Sequence, residues 1–106
     1  MLVQSGEAIM GKIMKLLDIV ERLSDFDEED TIYVSEPWTE DSDAMVATAP
    51  DDTMVPPKAA AKAGLTYFIE IFIAIEVTEG WIASQKEKPS LSAICDRLIY
   101  YATYDA

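Results

Sequence analysis

The chain has 106 residues, half of them apolar and 26% charged, which is the size and balance of one globular domain. It carries twenty acidic residues against eight bases, a single cysteine and no histidine. That inventory excludes an internal disulfide and removes Ser-His-Asp and Cys-His catalysis. It also leaves no imidazole–thiolate set for a tetrahedral zinc.

In chain order, Ile9, Ile13, Leu16, Leu17, Val20 and Leu23 recur at three- and four-residue steps. This spacing predicts an amphipathic helix over residues 7–23. Met14 opens a segment, MKLLDIVERL, that reads as a natural start. Residues 1–13 are therefore read as an N-terminal extension continuing the helix, and residues 14–106 as one α+β domain. The β-branched, alternating TIYVS at residues 31–35 predicts a strand, and AMVAT at 44–48 a second one, joined by a hairpin link over 38–43. In the first strand Ile32 and Val34 share a face, and Tyr33 points the other way.

Pro56-Pro57 predicts the start of a short helix over 58–63, closed by Gly64. Residues 66–74 are apolar on both faces, which predicts a central strand covered by helices. Residues 75–84 fit a helix, with a hairpin turning at Glu79-Gly80 as the rival reading. Ser90 is placed as the N-cap of a last helix with Leu91, Ile94, Cys95, Leu98, Ile99 and Ala102 on one face. The expected fold class is α+β: a small three-stranded, mainly antiparallel sheet with helices packed on one face, in the order α-β-β-(short α)-β-α-α.

The charge is unevenly placed. Residues 25–52 hold eleven acids and no base, and the remainder holds nine acids and eight bases. Such a block repels itself and repels nucleic acid, so no direct nucleic acid binding is expected. It is either a solvated surface or a docking surface for a basic protein. Exposed tyrosine and tryptophan are common interface anchors, so the partner-binding residues are read as Tyr33, Glu36, Trp38, Glu40, Asp41 and Asp43. The composition has an analogy in antitoxins, immunity proteins and other inhibitors of basic effectors, and a small acidic protein-binding domain is the favoured reading. Tyr100, Tyr101 and Tyr104 crowd the last helix, which suggests a route to a homo-oligomer.

The competing readings are a carboxylate- or Mg²⁺-dependent enzyme centred on Glu70, Glu76 and Glu79, and a scaffold protein that self-associates through its aromatic last helix. No nucleophile–base pair or phosphate loop supports an enzyme, and no cofactor or metal is expected. Asp25, Asp27, Glu29, Ile32 and Glu36 echo an EF-hand loop, but Asp30 stands where the turn glycine is required and Pro37 where an exit helix should run. Cys95 falls on an apolar helix face and is read as a core residue. The longest apolar run, residues 65–77, is interrupted by Glu70 and Glu76 and is shorter than the roughly 20 residues that span a bilayer. No signal sequence is visible, and the expected compartment is the cytoplasm.

Repulsion within residues 25–52 predicts that the melting temperature rises as ionic strength goes from about 10 to about 150 mM, where the Debye length shrinks from roughly 30 to 8 Å. Differential scanning fluorimetry across that range checks it; a flat or falling trend contradicts it.

Overall fold

The computed structural model describes residues 11–50 and 55–105. Its centre is a hairpin of β2 (Thr31–Val34) and β3 (Asp43–Ala47), antiparallel, with Ile32 opposite Val46 and Val34 opposite Ala44. Alternation puts those four side chains on one face and Thr31, Tyr33, Met45 and Ala47 on the other. The link between the strands is closed by the Ser35 N–H donating to the Asp43 carbonyl at 2.9 Å.

β1 (Met14–Lys15) joins the outer edge of β3, and β4 (Thr66–Glu70) joins β2, giving a four-stranded antiparallel sheet in the order β1-β3-β2-β4. The sheet therefore has one strand more than the sequence suggests. β1 lies where a helix is expected. Residues 7–10 of that expected helix fall outside the described residues. Gly11 instead donates to the Val46 carbonyl at 2.9 Å, and Ile13 is 53% exposed. The free edge of β3 takes up this segment's backbone groups, so α1 (Leu16–Glu21) begins only afterwards. A 3₁₀ turn, Leu23–Asp25, follows it.

The expected central strand over 66–74 is likewise corrected. β4 is an edge strand that stops at Glu70, and α3 (Ile71–Ser84) starts at the next residue. Glu70 pairs with Thr31, the first residue of β2, so a longer β4 would have no partner. The Ile71 and Phe72 N–H groups instead donate to the Asp30 and Glu28 carbonyls at 2.9 and 3.2 Å, which supplies acceptors for the first donors of the helix. Ile71, Ala74 and Thr78 then form its buried stripe at helical spacing. The segment over 75–84 is thus helical, as favoured, and not a hairpin. Within β4 the register places Ile69 opposite Ile32 and Tyr67 opposite Tyr33, leaving Phe68 as a bulge. The bulge lets Phe68 and Ile69 both bury in the main core.

α1, α3 and α4 (Leu91–Tyr104) cover one face of the sheet, where Leu16, Ile19, Ile71, Cys95 and Leu98 pack on Ile32, Val34 and Val46. The short helix α2 (Lys58–Lys62) covers the other face, so the helices are not confined to one side. Its fully buried Ala60 packs with Tyr33, Met45 and Leu65. Pro57 occupies the N-cap position of α2, and Gly64, at φ +78°, ends it in the left-handed region. Ser90 is the N-cap of α4, its Oγ accepting from the Ala93 N–H at 3.1 Å.

Gly80 lies mid-helix in α3, and a Cβ there would meet nothing within 4 Å among the described residues. Gly80→Ala is expected to stabilise the protein by about 0.5–1 kcal/mol, because the glycine loses more backbone freedom on folding. Urea unfolding measures the change; a loss of stability would show that the position is not an open helical site.

Candidate functional site: two acidic turns at the ends of one strand

Strand β2 divides the acidic block into two turns. Asp51 and Asp52, the last acids of the block, lie outside the described residues. In the turn before β2, Asp27 Oδ1 accepts from the Glu29 N–H at 2.9 Å and the Asp27 carbonyl accepts from the Asp30 N–H at 3.0 Å. This is a local carboxylate–backbone turn of the kind aspartate favours. Asp30 is only 6% exposed, and its Oδ1 accepts from the Thr48 hydroxyl at 2.9 Å. Burial pushes its pKa above the ordinary 3.8, the Thr48 hydrogen bond opposes the shift, and the charge of Asp27 adds to it. A cleft of about 410 Å³ opens here, lined by Asp27, Glu29, Asp30, Thr31, Glu70 and Phe72, with Thr48 and Ala49 along one side.

The turn after β2 is braced around the buried Ser42. The Ser42 hydroxyl donates to the Pro37 carbonyl and accepts from the Thr39 N–H, both at 2.9 Å. The Ser42 N–H donates to the Thr39 carbonyl at 3.0 Å, and the Asp41 N–H donates to Thr39 Oγ1 at 3.2 Å. The Glu36-Pro37 peptide is cis. Glu36, Asp41 and Asp43 project into solvent, while Glu40 is half-buried. Lys15 pairs with Asp41 at 3.6 Å, but both side chains remain mostly exposed, so the pair contributes little.

Of the two aromatic anchors proposed from the sequence, Tyr33 is placed differently from expectation and Trp38 keeps part of its surface. Tyr33 does point away from Ile32 and Val34, but α2 covers that face and Tyr33 is 0% exposed. It is no surface anchor. The placement of α2 was not readable from the local pattern around Tyr33. Its hydroxyl is buried, and no well-formed hydrogen bond reaches it among the described residues. Burial raises the Tyr33 pKa above 10; the nearby Thr31 hydroxyl opposes the shift without a well-formed hydrogen bond, and Asp30 and Glu70 add to it. Trp38 is half-buried and packs edge-on against Phe68, with ring centroids 4.9 Å apart at 89°. Its indole N–H is also buried without a partner among the described residues. Trp38 thus belongs largely to the rim of the core.

The carboxylates of the enzyme alternative do not gather. Glu70 is half-buried at the end of β4, whereas Glu76 and Glu79 are exposed on α3. Among the described residues no three Asp, Glu or Cys side chains converge as a metal site. The EF-hand-like window is split between the 3₁₀ turn, the turn before β2, β2 itself and the following turn. Cys95 is fully buried, as expected of a core residue, and its thiol pKa is pushed up to about 12, chiefly by burial. On α4, Tyr100 and Tyr104 are exposed with ring centroids 4.8 Å apart, and the Arg97 guanidinium lies 5.4 Å from the Tyr100 ring centroid. Among the described residues no helix is long and apolar enough to cross a membrane.

Fold and surface together define a small α+β domain that displays acids from two turns flanking its central strand. The chain belongs to the family described as a domain of unknown function, DUF7716, whose pattern matches residues 13–106. No curated protein and no solved structure matches it.

The folded protein holds the Asp30 proton more tightly than the unfolded chain does, so ionising Asp30 costs stability. The cost is absent well below pH 3.8 and grows as pH rises through the raised folded value. Asp30→Asn keeps an oxygen for Thr48 and should melt roughly 2–4 °C higher than the parent at pH 7, with no advantage at pH 3. Thermal melts at both pH values check this; a variant less stable at pH 7 would mean that the charge itself is stabilising.

Proposed function

We propose that this domain binds a basic protein, and that the turn after β2 is the surface that draws the partner in. The observation that supports this reading is the way its acids are held. Glu36, Asp41 and Asp43 extend into solvent from a backbone braced by Ser42 and Thr39, with Glu40 beside them. A braced turn loses little conformational freedom when it docks, so its charge is available without an ordering cost. Acids gathered on one side of a domain speed the approach of a basic partner and disfavour acidic competitors.

An inhibitor of a basic effector, of the antitoxin or immunity type, is the form of this function that the charge suits best. Such a protein must capture its target quickly, and electrostatic steering acts on the association rate. No catalytic role is proposed, because the carboxylates available for one are dispersed over β4 and the exposed face of α3.

The triple variant Glu36→Gln, Asp41→Asn, Asp43→Asn tests the reading without touching the core, since all three side chains are exposed. Affinity capture from an extract of the native host should retain a basic protein on the parent chain. At low salt the triple variant should associate with it about tenfold more slowly, with a dissociation rate changed by less than about twofold. A partner that is neutral or acidic, or an unchanged association rate, would overturn the proposal.

A further inference from the structure

Helix α4 buries Ile94, Cys95 and Leu98 against the sheet and turns a different row of side chains outward. Ala93, Arg97, Tyr100 and Tyr104 follow one another at steps of four, three and four residues, the spacing that keeps side chains in one seam along a helix. Tyr100 and Tyr104 are 51% and 65% exposed, so the C-terminal half of the seam is open. Their ring centroids lie 4.8 Å apart, and the Arg97 guanidinium lies 5.4 Å from the Tyr100 centroid. The arginine and the two tyrosines thus form one stacked ladder. Side chains already ordered in this way give up little freedom on docking.

The chemistry of the seam says what fits it. It holds one cation, two aromatic rings and no acid, so it does not suit the basic protein drawn to the turn after β2. Nucleic acid can stack on arginine and tyrosine, but the net charge of −12 repels it.

The order of the side chains along the helix identifies the occupant. Consider a second α4 turned end for end about a two-fold axis midway between Arg97 and Tyr100. Its Tyr100 then stands opposite Arg97, and its Tyr104 opposite Ala93. Each guanidinium meets an aromatic ring of the other copy, and each outer tyrosine meets the smallest side chain of the seam. A parallel alignment instead sets Arg97 against Arg97 and Tyr104 against Tyr104. Only the antiparallel pair is complementary in both charge and size. The part of the chain that carries α4 also lets two copies approach. Residues 53–106 hold six acids and five bases, against eleven acids and no base in residues 25–52.

We infer that the chain forms an antiparallel two-fold dimer through this seam of α4. Arg97 of each copy stacks on Tyr100 of the other, and Tyr104 of each sits over Ala93 of the other. The fourteen residues of α4 give a contact about 21 Å long, at the small end of specific interfaces, so the dimer is a weak one. The turn after β2 flanks the seam, since Glu36, Pro37 and Trp38 share a groove with Ile99, Ala102 and Thr103 on the adjoining side of α4. Repulsion between the acidic turns of the two copies therefore loosens the dimer at low salt. The dimer is independent of the basic partner proposed above.

Sedimentation equilibrium of the full chain from about 10 to about 500 µM tests the dimer in the range expected of a small interface. A dissociation constant of roughly 0.1 mM is expected at about 150 mM salt, tightening several-fold at about 500 mM as the repulsion is screened. Tyr100→Ser with Tyr104→Ser should leave the chain monomeric throughout. Its melting temperature at low protein concentration should match the parent's, because both side chains are exposed. Tyr100→Phe keeps the ring and should dimerise within about twofold of the parent. Oxidative cross-linking reads the orientation, with the buried Cys95 of the parent chain giving the background. Chains carrying Ala93→Cys mixed with chains carrying Tyr104→Cys should give a disulfide-linked mixed dimer faster than either variant alone. A chain that stays monomeric at about 500 µM in high salt, a dimer that survives the double serine variant, or an Ala93→Cys chain that links to itself faster than to the Tyr104→Cys chain would each overturn the inference. A double serine variant that dimerises like the parent but no longer retains the basic protein would assign the seam to that protein and overturn it as well.

Discussion

The fold depends on how two acidic turns hand their backbone carbonyls to the starts of two helices. Before β2, the Glu28 and Asp30 carbonyls accept from Phe72 and Ile71 at the first turn of α3. Within the hairpin link, the Glu40 and Ser42 carbonyls accept from Leu17 and Leu16 at the first turn of α1, at 3.0 and 2.9 Å. Donors with no intrahelical partner are satisfied, and α1 and α3 are fixed against the same face of the sheet. The same contacts set the lengths of the elements. β4 ends at Glu70 because β2 begins at Thr31, and the backbone turns helical where the ladder runs out of partners. For α3, fourteen residues long, the acids of the turn also lie toward the positive end of the helix dipole, which offsets part of their mutual repulsion.

Much of the fold was legible where local chemistry decides it. The β2–β3 hairpin follows from alternation, α2 from Pro57 and Gly64, and α4 from Ser90 and an unbroken apolar stripe. The misreadings concern segments whose fate is set by distant partners. Ile9 and Ile13 extend a helical stripe on paper, yet the open edge of β3 claims the backbone from Gly11 to Lys15. Residues 66–74 alternate like a strand and also carry helical spacing from Ile71 onward, and only the end of β2 settles which pattern is used. The bulge at Phe68 has no signal in the sequence at all.

The candidate site was legible as charge and illegible as geometry. The acids of residues 25–52 stand out in composition, but not their partition by β2 into a braced turn and a cleft. In sequence, Tyr33 points away from Ile32 and Val34 and Trp38 lies beside Pro37 in the acidic link, so both read as exposed anchors. Both are instead held by packing from far along the chain, Tyr33 under Ala60 and Leu65, and Trp38 against Phe68. Glu70 and Phe72, which complete the cleft, lie some forty residues from Asp27 and Asp30 in the sequence and meet them only through the β2–β4 pairing. The burial of Asp30 is a local cost in stability once the carboxyl ionises.

Fold, charge and bracing support the proposed reading of a domain that would meet a cationic surface with acids already in place. The most direct measurement of that claim is the association rate with the basic partner as a function of ionic strength, followed by stopped-flow fluorescence of the two tryptophans. Steering by preformed charge predicts a rate that falls at least about tenfold between roughly 10 and 150 mM salt, while the dissociation rate stays nearly constant. A rate independent of salt, or one limited by a slow unimolecular step, would contradict it.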